Sequence, residues 1–222
     1  MNWLREKFRS STIYPRVAPF VIFIALTFVQ GKFGEDGRYW FYLAKTLVGA
    51  WLIFEMRPFV PEMRWAFSVE AVVVGVAVCV MWVAIDPVYP KLGSPGIDWN
   101  PHKHFGQGSG LAWLFIVTRT LGSTLVVPPL EEVFYRSFLY RYFVRIPFLE
   151  MPLSRFHPTS FLVTSALFGF EHSQWLAGIL CGFAYQWLVI RKNRLGDAMA
   201  AHALTNFLLG VWVVWKGAWN FW

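Results

Sequence analysis

Three short patterns in the second half of the sequence carry groups that can move or hold a proton. The first is Pro128-Pro129-Leu130-Glu131-Glu132-Val133-Phe134-Tyr135-Arg136, the second Phe168-Gly169-Phe170-Glu171-His172, and the third His202-Ala203-Leu204-Thr205-Asn206. Proline is tolerated at the start of a helical turn, because its missing N–H had no partner there. The two glutamates then fall in the first turn, where the helix dipole favours negative charge. Glu132 and Arg136 stand four apart with the acid N-terminal, the favourable order for an intrahelical ion pair. At ~3.6 residues per turn, Glu131 points about 100° away from Glu132, so one carboxylate is neutralised while its neighbour faces another surface. His202 and Asn206, also four apart, share one helix face. Together these groups supply a base, an orienting imidazole and neutral hydrogen-bond donors. Each pattern alone has a structural explanation, as a charge pair stapling two helices or a satisfied core histidine. Their coincidence in so apolar a chain argues for chemistry.

The elements that must position these groups are membrane helices. Of 222 residues, 56% are hydrophobic and only 15% charged, where globular chains carry about 25% charged. Mean hydropathy is +0.44. Too few polar side chains exist to cover a water-facing surface, which excludes a disordered chain, a disulfide scaffold and an ordinary soluble enzyme. Thirteen Trp, eight Tyr and 22 Phe suit a protein with two membrane interfaces, where amphipathic rings collect. The net charge of +7 follows from positive-inside topology. No nucleic-acid motif accompanies the basic run Arg191-Lys192-Asn193-Arg194. Cys79 and Cys181 lie in apolar runs and read as buried small hydrophobes.

A helix needs roughly 20 apolar residues to cross the hydrocarbon. Apolar stretches recur at 17–30, 39–54, 65–85, 111–130, 160–170, 175–190 and 195–215. Several are short or carry a charge, which predicts a bundle with a polar interior. Residues 86–110, rich in Pro, Gly, Asp and His, read as a connection. Residues 111–143 read as one long helix bent near Pro128-Pro129, giving seven spans, or eight if that helix splits at its prolines. The expected fold is therefore an all-α polytopic transmembrane helix bundle with a polar intramembrane cavity. Residues 1–222 form a single membrane domain, with N-terminal spans and loop in 1–110 and motif-bearing spans in 111–215. Arg5, Lys7 and Arg9 precede the first apolar run, with no small-residue cleavage site after it, so that run reads as a retained span. With the N-terminus inside, twelve basic residues fall on the inner side and five on the outer, which predicts a cytoplasmic N-terminus.

Ionisable groups inside spans mark functional sites by default. Lys45 and Glu70, in the second and third spans, read as facing one another, as an interhelical ion pair or a snorkelling lysine in preference to a transporter-like couple. His102 and His104 sit in the connection without further ligands nearby, and Asp197 reads as interfacial. Along helices rising ~1.5 Å per residue, Glu131 lies roughly 15 Å above Arg141 and His202 roughly 12 Å above Arg194. The three patterns can therefore meet in one cavity, wetted with the help of Arg136, Gln186 and Asn206.

In this order and spacing, Glu131-Glu132-x-x-x-Arg136, Phe168-x-x-x-His172 and His202-x-x-x-Asn206 resemble the three-motif set of the CAAX protease and bacteriocin-processing family. That family comprises glutamic-type intramembrane endopeptidases and includes the type II CAAX prenyl endopeptidases. The likeness covers residues 110–215. The basic N-terminus and overall size also resemble the CAAX-protease-related branch that accompanies bacterial exosortase systems. The resemblance implies that Glu131 takes a proton from water, that His172 holds and polarises that water, and that His202 and Asn206 form an oxyanion hole. Glu132 and Arg136 would support the arrangement. It further implies a peptide or lipidated-protein substrate, contact with membrane lipid, association with an exosortase-type sorting system, no cofactor, and a bacterial inner membrane as the location. Tyr135 and Ser137 stand where Phe and Gly are frequent in the family, a departure that touches no implied catalytic role.

Two other classes of function stay open on the residues. A zinc hydrolase could use Glu131, His172 and His202 as ligands, although the H-E-x-x-H helix that joins ligands to a base is missing. A non-enzymatic membrane protein could use the same groups for binding, scaffolding or transport.

Overall fold

Where the sequence offers a short polar side chain before an apolar run, a helix starts there. Ser68 Oγ accepts from the Ala71 amide, Asn100 Oδ1 from Lys103 and Ser109 Oγ from Ala112, each satisfying an amide that lacks an intrahelical partner. The computed structural model describes residues 2–93 and 99–222 and contains no strand among them. Its helices are α1 (Asn2–Ser10), α2 (Tyr14–Gln30), α3 (Gly34–Met56), α4 (Val69–Ile85), α5 (Pro101–Phe105), α6 (Gly110–Tyr142), α7 (Pro158–Phe170), α8 (Trp175–Lys192) and α9 (Gly196–Lys216).

Each of the seven apolar stretches matches one helix, from α2 to α9 with the short α5 omitted, although residues 65–68 precede α4 and Leu195 precedes α9. Segments Val69–Val88, Gly110–Tyr142 and Gly196–Lys216 are long and apolar enough to cross a bilayer by themselves. Helices α2 and α7 are apolar but shorter. The expected connection holds α5, and its residues 94–98 lie outside the described residues. Helix α1 adds an element that periodicity did not single out. It buries Phe8, exposes Trp3 and ties Arg5 to Glu55 of α3 at 2.6 Å.

Helix α6 stays continuous through its proline pair for 33 residues. Two wide turns, Gly122–Val126 and Val133–Leu139, flank the prolines and let amides reach back five residues instead of four, as Val127 N–H to Gly122 O and Tyr140 N–H to Tyr135 O. Turns of this kind absorb an irregularity without breaking the helix. In the wide register Pro128 would be the partner of the Ser123 carbonyl, but it has no hydrogen to give, so that carbonyl is free for another donor.

Small residues let the motif-bearing helices approach closely. A Cβ on Gly178 of α8 would stand 2.8 Å from Gly169 Cα of α7, and one on Gly182 2.9 Å from Ser165 Cα. A Cβ on Gly75 of α4 would stand 2.7 Å from the Ala201 carbonyl of α9. Without glycine at these points the helices would part, and with them the side chains next to Gly169 and Ala201. Asp197 departs from its interfacial reading: it is fully buried and paired with Arg194. His104 contacts Asp36, and His102 packs edge-on against Trp113 and Trp219.

Candidate active site

The long helix supplies one wall of a cavity through a stripe spaced by four residues: Arg119, Ser123, Val127 and Glu131. Helix α9 supplies the facing wall through His202, Thr205, Asn206 and Leu209, and the end of α7 closes one side with Phe168, Glu171 and His172. The enclosed volume is about 510 Å³. Glu131, His172, His202 and Asn206, singled out in the sequence from three separate patterns, thus all line the same space.

The two glutamates have separated as their angular offset predicts. Glu131 faces the cavity, and its Oε2 is buried without a hydrogen-bond partner, 3.9 Å from His202 Nε2. Glu132 lies behind the wall and is fully buried. Its Oε2 stands 3.3 Å from Arg136 Nε, the expected intrahelical pair, and its Oε1 accepts from His202 Nδ1 at 3.0 Å. The second contact, between α6 and α9, is not one that spacing along a single helix could indicate. It fixes the imidazole with Nε2 toward Glu131, while Tyr185 stacks on the ring at a centroid distance of 5.0 Å. Tyr185 in turn donates to Thr205 Oγ1 at 2.8 Å, and Thr205 bonds the Gly75 carbonyl at 2.9 Å, so α4, α8 and α9 share the support.

His172 is oriented by its own helix end. Its Nδ1 lies 2.9 Å from the Phe168 carbonyl, which can only accept, so Nδ1 carries the hydrogen and a neutral ring keeps its lone pair on Nε2. Asn206 Nδ2 donates to the Ser123 carbonyl at 2.8 Å, the acceptor that Pro128 leaves free. A primary amide has two hydrogens, so a second remains for the cavity that Asn206 lines.

Three readings from the sequence are corrected. Arg136 and Gln186 are absent from the cavity wall. Arg136 is buried behind it with its guanidinium carbon 4.2 Å from the Phe168 ring centroid, and Gln186 is fully buried. Lys45 and Glu70 are not partners. Glu70 pairs with Lys192 at 2.6 Å and Arg191 at 3.4 Å, whereas Lys45 lines the cavity and donates to Thr27 Oγ1 at 3.0 Å. The departures Tyr135 and Ser137 carry more than their similarity to Phe and Gly implied. Tyr135 donates to Glu171 Oε2 at 2.8 Å, and Ser137 donates to Glu62. Sequence reasoning also passed over Arg119, whose signals were its charge within an apolar span and its four-residue spacing to Ser123 and thence to Glu131.

Among the described residues, no three His, Cys, Asp or Glu side chains come together closely enough to hold one metal ion. That includes the Glu131, His172 and His202 set.

No curated protein and no solved structure matches this chain at a significant level. Residues 111–208 match a family model, described as Rce1-like: type II CAAX prenyl endopeptidase Rce1-like. The matched segment starts one residue into α6 and ends two residues beyond Asn206, so it contains all seven motif residues. It speaks for the broad family and not for the exosortase-associated branch. With the apolar helices that carry it, the segment makes this a multi-pass membrane protein. Residues 111–208, and with them the whole acid–imidazole cluster of the cavity, are thus similar to the Rce1-like family, a family of proteases.

Proposed function

We propose that the chain hydrolyses a peptide bond within the membrane, with water as the nucleophile and Glu131 as its base. Glu131 takes one proton of a water held between its carboxylate and the bare Nε2 of His172. The hydroxide character so created attacks the scissile carbonyl. The carbonyl oxygen gains charge and accepts from Asn206 Nδ2–H and from His202 Nε2–H. Because His202 Nδ1–H is committed to Glu132, the ring donates from Nε2 as the imidazolium, for which Glu132 is the counter-charge. Protonated Glu131 then returns its proton to the leaving amine. Donors fixed in advance around a developing oxyanion are usually the largest catalytic contribution.

The observation that carries this reading is the unpartnered Glu131 Oε2, buried 3.9 Å from His202 Nε2 in a cavity shared with His172 and Asn206. Buried carboxylate oxygens are nearly always hydrogen-bonded, so this one is waiting for a partner that the chain does not supply. The substrate we propose is a peptide or lipidated protein entering from the membrane, and the setting a bacterial inner membrane with the N-terminus in the cytoplasm. We propose no metal: lasting loss of activity in chelator, restored by zinc, would instead establish the Glu131–His172–His202 zinc enzyme.

The test is cleavage-site mapping by mass spectrometry on membranes holding wild-type or Glu131→Gln protein. A set of cleavage events lost in the variant is expected. Identical cleavage maps from equal amounts of inserted protein would leave binding, scaffolding or transport as the function.

A further inference from the structure

The connection between α7 and α8 closes one end of the cavity, and the reaction above uses only one of its four side chains. Glu171, His172, Ser173 and Gln174 all line the space. Glu171 is exposed, and Tyr135, itself only 6% exposed, donates to its Oε2 at 2.8 Å and so fixes the carboxylate from behind. Among the described residues its Oε1 accepts from no group, and Glu171 takes part in no ion pair. Arg136, behind the wall, is engaged by Glu132 at 3.3 Å. Ser173 Oγ donates to Gln174 Oε1 at 3.0 Å, which leaves lone pairs on both oxygens for another donor. Trp82 lines the same cavity and packs edge-on against His172 at a centroid distance of 5.5 Å. Glu131, 7% exposed, aims a second, unpartnered carboxylate oxygen into this space. A carboxylate, neutral oxygens and an aromatic ring are together the surroundings that suit a cation.

We infer that Glu171, anchored by Tyr135, is the subsite for a Lys or Arg side chain of the peptide substrate beside the scissile bond. This rests on the endopeptidase reading above and adds what selects the residue next to the cut. Glu171 immediately precedes His172, whose Nε2 holds the attacking water in that reading, so a cation on Glu171 belongs to a residue near the bond being cut. An extended chain advances ~3.3–3.6 Å per residue, which sets the basic residue within about two positions of the cut. Lysine brings three N–H donors and arginine five, enough to meet Glu171 Oε1 and the oxygens of Ser173 and Gln174 together. Lys45 and Arg119 also line the cavity, and Arg119 stands twelve residues from Glu131 on α6, about 18 Å at ~1.5 Å per residue. A basic side chain is therefore drawn to the Glu171 end and driven from the other. No three metal-ligating side chains converge among the described residues, which favours an organic cation over a metal ion.

The experiment uses the full 222-residue chain in detergent and a library of peptides randomised around the cut, with cleavage positions read by mass spectrometry. Wild-type protein is expected to enrich Lys or Arg at one fixed position within two residues of the cut. Matched peptides with Lys or norleucine at that position are then compared. Glu171→Gln should lower the ratio of their kcat/KM values about tenfold, chiefly through KM, the size of a hydrogen bond to a charged group. Glu171→Asp, which keeps the charge, should retain most of the ratio. Glu171→Lys should turn the preference to Asp or Glu at the same position, which a packing role would not do. Tyr135→Phe, which frees the carboxylate to rotate, should lower the ratio by a smaller factor, about threefold. In parallel, the Lys peptide should bind immobilised Glu131→Gln protein about tenfold tighter than the norleucine peptide, and adding Glu171→Gln should abolish that margin. Absence of an enriched basic position, or enrichment that survives Glu171→Gln, overturns the subsite and leaves the endopeptidase reading standing. A binding margin that depends on Glu171, without cleavage of any peptide by the wild type, does the reverse.

Discussion

Two clusters of carboxylates and arginines sit about two turns apart on helix α6, built from the same kinds of side chain, and they are finished differently. In the first, Glu62 accepts from Arg16 Nε at 2.8 Å, Arg16 Nη2 at 2.9 Å and Arg141 Nη2 at 3.0 Å, and also from Ser137. Arg16 gives a further bond to the Thr12 carbonyl and Arg141 one to the Ser137 carbonyl. No buried polar atom of these four residues lacks a partner. In the second, Glu131 Oε2, Glu132 Oε2, both Nη atoms of Arg136 and both amide atoms of Gln186 are buried without one. A fully satisfied network fixes helices in place. A partly satisfied one is costly in a low-dielectric interior and persists where something else completes it. The contrast assigns the Glu62 cluster to holding α2, α6 and the α3–α4 connection together; under the proposed function, water and substrate complete the Glu131 cluster.

Substitutions can break that contrast. Glu131→Gln should cut turnover by ~10²–10⁴-fold, the range of a lost general base, without lowering the melting temperature in detergent. A variant that unfolds would place Glu131 with Glu62 among the structural acids. Glu62→Ala should do the opposite, costing ~3–5 kcal/mol of stability because it leaves Arg16 and Arg141 buried and uncompensated. Turnover per folded molecule should be unchanged, as assayed after separation of the folded fraction. Asn206→Ala should lower kcat by about 10²–10³-fold if its free amide hydrogen meets the oxyanion, and a change confined to KM would remove it from that role. Tyr135→Phe, which deletes one hydrogen bond to Glu171, should shift stability by only ~0.5–1.5 kcal/mol. Whether it also moves the pH profile of kcat tells if Glu171 influences the base.

The smallest effect expected is in acid. Burial pushes the Glu62 carboxyl up, but the hydrogen bond and charge of Arg16 and the bond from Ser137 outweigh it and hold the group below the ordinary carboxylate range. A group lowered on folding stabilises the protein above its unfolded value, near 4.3 for glutamate, and that contribution fades as pH falls through the folded value. Melting temperature should therefore drop below about pH 4.3, and Glu62→Gln should flatten that limb while starting from a lower plateau.

The helices were legible because apolar stretches recur between polar connections, and the cavity residues because spacing by four on a helix is a statement about direction. Glu131 and Glu132 parted as 3.6-fold periodicity requires, and His202 and Asn206 did share a face. What was not legible depends on which helices are neighbours. Lys45 and Glu70 look complementary, yet Glu70 answers to Lys192 and Arg191 of α8. The bond from His202 to Glu132 crosses from α9 to α6 and leaves no trace in either helix alone. The basic residues of α1 were taken up by the topology argument, which hid the nine-residue amphipathic helix that carries them. Tyr135 and Ser137 looked like minor departures because a hydroxyl's meaning lies in what it reaches, here Glu171 and Glu62.

The wide turn with which α6 houses its prolines has a reach beyond the backbone. An alanine at position 128 would bring back an amide hydrogen, which in the wide register points at the Ser123 oxygen now held by Asn206. The asparagine would then compete with its own protein's main chain for a place to anchor, and would swing with whatever the outcome. A ring that touches no reactant thereby sets the aim of a side chain on another helix, and the missing hydrogen becomes as much a part of the chemistry as those that are present.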